Sequence, residues 1–225
     1  EWIARTMVHY RWHYEESAVF ASQRMTAGNA EAAARIRNWG PRACRATGTD
    51  SEHQQQQCEA EYRRIMDALA AQLQQTRYAL GDRPCAVDCI LLGGIRAHTN
   101  MDPTPKRMMQ DYPTIIAWAD KGADAWDGDG ELLPFPDSTP FARFVLTEML
   151  STYVPYALAN GSALAAGAKA FHVDSYGEDV SYLTRPYPEQ SRQMVGTKIA
   201  TLLDESDQDL TRHWLAINKL DRCFG

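Results

Sequence analysis

Two cysteines four residues apart, Cys85 and Cys89 in "GDRPCAVDCILLGGI", raise the question of thiol chemistry. A thiol–disulfide pair is usually Cys-x-x-Cys at the start of a helix that follows a strand. Here the spacing is one longer and the preceding element has helical periodicity. Cys89 falls in the most apolar turn of the chain, which predicts an inert thiol. A zinc site needs a second ligand pair at suitable spacing, and the sequence offers none. His9, His13 and Glu16 are the best metal look-alike, because positions i and i+4 share a helical face. They sit among Tyr and Trp with no further ligand signalled elsewhere, so rings packing and hydrogen-bonding locally account for them. Asp127-Gly-Asp-Gly-Glu131 has the start of a calcium loop. Its sixth and twelfth positions, Leu132 and Ser138, lack the required glycine and acid, which leaves a solvated turn. His172 and Asp174 would share a strand face, but no nucleophile stands beside them.

A structural reading explains more of the opening stretch at once. Gly81 is suited to end one helix, and Pro84 keeps its predecessor out of helical geometry. Cys85 then takes the N-cap and Asp88 the third helical position. From there a carboxylate can reach back to the cap N–H and meet the positive end of the helix dipole. Sulfur is a weak acceptor, so Cys85 is an impaired version of the usual Ser or Thr cap.

The elements around it read as mostly helical. Residues 1 to 25 lack Gly and Pro and predict one long helix, with rings such as Trp2, His9, Trp12, His13 and Phe20 on several sides. Residues 28 to 58 read as irregular with one short Ala-rich helix. Residues 59 to 79 form a clean amphipathic helix through Tyr62, Ile65, Met66, Leu69 and Leu73, and the four glutamines start it. The helix from 86 to 98 is apolar on nearly every side, which predicts central burial. Pro113 opens a further helix, residues 124 to 138 a loop, and Thr139-Pro140 a long helix that Pro155 should kink or divide. Residues 170 to 184 predict a β-hairpin around Ser175-Tyr176-Gly177-Glu178. Helices over 189 to 204 and from Ser206, with Asp209 as its capping partner, close the chain. Trp118 and Trp214 fall on core stripes.

The 225 residues carry 23 basic and 29 acidic side chains, net −6. An acidic surface repels phosphate backbones, and the densest basic run (Arg35, Arg37, Arg42, Arg45) is spread through an expected loop, so no nucleic-acid partner is expected. No apolar run reaches the roughly 18 residues of a membrane span. Five cysteines are too few for a disulfide scaffold and fit a reducing cytosol, most of them buried.

Gly81-x-x-x-Cys85-x-x-Asp88, after an amphipathic helix and opening an apolar one, resembles the C-terminal domain of glutathione S-transferases. "EYRRIMDALAAQLQQTRYALGDRPCAVDCILLGGI" and "YPTIIAWADK" extend the likeness over residues 59 to 121, with residues 1 to 25 as the domain's first long helix. Cys85 departs from the family's Ser or Thr. The resemblance implies an all-α bundle over 1–123, with a helical extension and small hairpin over 124–225 packed on the same core. It implies a cytoplasmic homodimer that binds a small hydrophobic electrophile, with Tyr10, Arg11, His13 and Tyr14 lining the pocket. Glutathione would be the co-substrate and would bind a thioredoxin-like N-terminal domain. No segment of this chain has that domain's pattern, and a start at Glu1 instead of methionine points either to a removed leader or to upstream residues that are missing, such as a first domain that was cleaved or left out. No resident cofactor or metal is implied. The rival reading is a non-enzymatic module for dimerisation or complex assembly.

Overall fold

The computed structural model describes residues 3–121 and 126–225. They are mostly helical, with one antiparallel hairpin. No described helix is long and apolar enough to cross a membrane. The chain divides into two compact units, one of Ile3–Leu133 with Ser138–Ala142, the other of Pro134–Asp137 with Arg143–Gly225. The boundary expected at 123/124 and the ring of Trp2 lie outside the described residues.

In the first unit, the one long helix expected over 1 to 25 is two, α1 (Ala4–Trp12) and α2 (Glu15–Met25). They part where Tyr14 turns extended, at φ −85° and ψ 119°. The stretch expected to be largely irregular holds α3 (Ala30–Arg37), capped by the Asn29 side chain, and α4 (Gly40–Ala46) with Pro41 in its first turn. The basic run therefore sits on helices. The Ser51 hydroxyl caps α5 (Glu52–Leu73) by accepting from the Gln54 N–H, so the glutamines are helical. Its Tyr62, Ile65, Met66 and Leu69 are all buried.

Helix α5 stops at Leu73, well before Gly81, which has a different task. At φ 144° Gly81 bridges to Tyr78 and Leu132, and a Cβ there would lie 2.5 Å from the Glu131 carbonyl oxygen. Only glycine fits both the dihedral and the close approach.

Helix α6 (Ala86–Gly94) continues into a π-helical turn, Ile95–Thr99. Leu92 and Ile95 are buried, but Ala86, Cys89, Ile90 and Gly93 are exposed, Ile90 by 75%. The expected burial on all sides is thus corrected, and with it the setting of Cys89. Apolar composition gave no polar side from which to orient the helix, and among the described residues only one side finds cover. Then follow α7 (Pro103–Met108), a 3-10 turn (Met109–Asp111) and α8 (Pro113–Lys121), which opens on Pro113 and buries Ile115 and Ala119. Trp118 is half-buried.

Helix α9 (Pro140–Ser151) enters the second unit from Arg143. The break before α10 (Tyr153–Ala165) falls at Thr152. Pro155 is then in the first turn of α10, where its missing N–H costs nothing. Strands β1 (Ala170–Ser175) and β2 (Glu178–Leu183) form the expected hairpin, pairing Phe171 with Tyr182 and Val173 with Val180. Tyr176 (φ 54°) and Gly177 (φ 78°) supply the two left-handed residues a tight hairpin turn needs. The hairpin buries Phe171, Val180 and Tyr182 against Tyr156 and Ala163 of α10. His172 meets Asp179 across the ladder at 2.9 Å, on an exposed surface.

Helix α11 (Pro186–Leu202) starts earlier than expected, with both prolines in its first turn. Asp204 caps α12 (Glu205–Ile217) by accepting from the Asp207 N–H, which replaces the expected Ser206–Asp209 box. A short α13 (Asp221–Phe224) closes the chain. Val154, Ala157, Leu215, Leu220 and Cys223 form a second small core, with half-buried Trp214 against it.

Candidate functional site

Asp88 is fully buried at the third position of α6. One carboxylate oxygen accepts from the Cys85 N–H at 2.8 Å, the other from the Ala79 N–H at 2.9 Å. The thiol of Cys85 lies over the helix's first free amides, and burial raises its pKa. The carboxylate ties the turn before α6 to its start, so this corner is a structural joint and offers no thiolate. Cys44 and Cys58 are buried and their thiols shifted up by burial, Cys58 to about 12. All five cysteines are free. Among the described residues no cluster of His, Cys, Asp or Glu could hold a metal ion.

The end of α1 carries the densest chemistry of the first unit. Tyr10 is buried, its hydroxyl 3.5 Å from the Met108 sulfur, and burial raises its pKa well above the ordinary phenol value. Arg11 grips Asp102 with two nitrogens, at 2.8 and 3.2 Å, and donates to the Ala97 carbonyl at 3.0 Å. Asp102 is fully buried, so this bidentate pair holds α1 to the start of α7. Tyr14 donates to Glu59 Oε1 at 2.6 Å, and His9 Nε2 approaches the same oxygen at 2.6 Å. A carboxylate oxygen only accepts, so Nε2 carries the proton. Nδ1 of His9 is buried and unpartnered in the structure. His13 is exposed and stacks on His9, with ring centroids 4.8 Å apart.

Burial pushes Glu59 up, but the hydrogen bonds from His9 and Tyr14 outweigh it and hold the carboxyl below its ordinary value. Burial and the Glu59 bond keep Tyr14 protonated far into the alkaline range. Burial, then the neighbouring His9, lowers His13. The cluster is therefore an ionised carboxylate held by a phenol and an imidazole. Tyr14 is a hydrogen-bond donor here, not a tyrosinate.

Of the four residues expected to line a pocket, His13 is exposed, Arg11 and Tyr14 are half-buried and Tyr10 is enclosed. A cavity of about 430 Å³ does lie at this end of α1, but its walls are Trp12, Ala32, Arg35, Ile36, Trp39 and Ala43. Trp12 sits between Arg11 and His13 in the chain and faces α3 and α4. Sequence reasoning missed Glu59 and Trp39. Glu59 meets its partners across 45 to 50 residues, a pairing no local pattern announces. Trp39 lay in a stretch read as irregular, where an indole carries no periodic signal.

The first unit is thus an all-helical domain whose apolar sixth helix starts from a buried Asp cap. Residues 20–123 match the family model described as glutathione S-transferase, C-terminal domain, and this part of the chain is a domain of that family. No curated protein and no solved structure was found to match.

Proposed function

We propose that the chain is the electrophile-binding half of a glutathione S-transferase-like protein. Conjugation or thiol transfer would need a thioredoxin-like domain that binds glutathione and lowers its thiol pKa, so that the thiolate attacks the electrophile. The observation that carries this reading is the open face of α6. Ala86, Cys89, Ile90 and Gly93 recur at helical spacing, all exposed, within a domain of this family. An apolar stripe on a short helix is a surface for a packed neighbour, and a docked domain would cover it. His13 and Tyr14 would then border the pocket, with Tyr10 and Arg11 holding the helix end in place.

The same stripe also serves the second reading, a homodimer or assembly module without chemistry. The reading frame upstream of Glu1 separates the two. A thioredoxin-like domain in frame, with conjugation of 1-chloro-2,4-dinitrobenzene by the longer product that Ile90→Asp abolishes, supports the enzyme. A natural start codon close to Glu1, with sedimentation as a dimer that Ile90→Asp splits, supports the module. Retention of residues 1–225 alone on immobilised glutathione would overturn the view that the thiol site lies elsewhere.

A further inference from the structure

The cavity beside Trp12 is built by α1, α3 and α4, and none of its lining residues belongs to the buried-Asp corner or the Glu59 cluster. Helix α4 comes so close to α1 that a Cβ on Gly40 would lie 3.2 Å from the Trp12 Cβ and 3.3 Å from its carbonyl oxygen. That contact fixes one wall. Ala32, Ile36 and Ala43 give it an apolar lining, and Trp39, also in the lining, keeps 71% of its surface in solvent. Leaving so large an indole in water forgoes apolar burial that a ligand would recover.

Charge selects the ligand. The two helices, Ala30–Arg37 and Gly40–Ala46, carry four arginines against one acid, Glu31, in a chain of net −6. Arg35 lines the cavity. Its ion pair with Glu31, one helical turn away at 2.5 Å, is exposed on both sides, 67% and 86%. Such surface pairs contribute little, so the guanidinium can turn to an incoming carboxylate at small cost. A volume of about 430 Å³ suits a molecule of one or two fused rings.

We propose that this cavity is a binding site for a planar aromatic carboxylate, its rings between Trp12 and Trp39 and its carboxylate on Arg35. The site needs neither glutathione nor another domain, so it stands or falls apart from the function proposed above.

Calorimetric titration of the 225-residue chain with 2-naphthoate tests it, with 2-naphthalenemethanol as the uncharged match. Saturable binding of naphthoate is expected, at least tenfold tighter than the alcohol, since one charge-assisted hydrogen bond supplies about that factor. Arg35→Ala should remove this preference and leave alcohol binding unchanged. Trp39→Ala should weaken both ligands. Both side chains are exposed, so the fold tolerates the changes, and Ala43→Leu gives a third check by narrowing the cavity. Absence of saturable naphthoate binding at millimolar concentration, or equal affinity for acid and alcohol, would overturn the proposal. So would self-association lost in Trp39→Ala, which would assign the surface to a second copy of the chain.

Discussion

The two units solve the problem of holding helices together by different means. The first closes its core with buried ionic and polar clamps between distant parts of the chain. Arg5 meets Glu61 at 3.1 Å with both side chains 4% exposed, and Arg11 grips Asp102, while Asp88 adds a local tie between two turns. The second relies on small apolar clusters and one buried polar clamp, the Asn160 side chain on the Arg185 backbone at 2.9 Å, and its Glu189–Arg192 ion pair is local. Glu189 accepts from Arg192 at 2.7 and 2.8 Å within α11, and Arg192 reaches the Cys223 carbonyl at 2.8 Å. Met194, Leu202 and Ile217 of its helices stay exposed. A core of long-range clamps makes register unique, whereas small clusters leave much surface open.

The sharpest breaks of this contrast remove a central group from each unit. Tyr156→Ala takes the ring on which Phe171 and Tyr182 pack, with centroids at 5.6 and 5.2 Å. It should cost about 3–5 kcal/mol and expose the hairpin amides to hydrogen exchange. Glu61→Ala removes the buried carboxylate that faces the Arg5 charge and should cost a similar ~3–5 kcal/mol in urea unfolding. The matching change in the second unit, Glu189→Ala, should cost only about 1–2 kcal/mol, because Arg192 is 25% exposed and stays hydrated. Equal losses for the two glutamates would refute the contrast.

Asp88→Ala ranks next, at about 2 kcal/mol, since it removes a cap and orphans the buried Ala79 amide. Its partner change, Cys85→Ser, should shift stability by no more than about 0.5 kcal/mol, upward if at all, as a hydroxyl replaces a weak acceptor. Between these lies a pH effect at Glu59. Its folded pKa lies below its unfolded one, so its contribution is complete above the ordinary value of about 4.5 and fades as pH falls through the folded value. Urea midpoints from pH 7 to pH 3 should show that decline, and Glu59→Gln should flatten it.

Local chemistry was readable where one residue type forces one geometry. Pro113 opening α8, the Tyr176–Gly177 turn and the carboxylate of Asp88 beside the Cys85 amide each answer a short-range steric or hydrogen-bond demand. The likeness of residues 59 to 121 to a known helical domain rests on such demands, and the matched stretch 20–123 contains it. Periodicity failed where it has no reference. In α6, apolar residues all round could not say which face would be open, and Ile90 lies on it.

The sequence by itself therefore determined a helical chain, its hairpin, its family over the matched segment and the cap that starts α6. Each depends on contacts within a few residues. Only the tertiary structure decided that α1 and α2 part at Tyr14, that Arg11 serves Asp102, and that Glu59 gathers His9 and Tyr14. It also decided that Trp12 and Trp39 face one cavity. Those pairings join residues tens of positions apart, and they follow from which helix faces pack together, which no local spacing records.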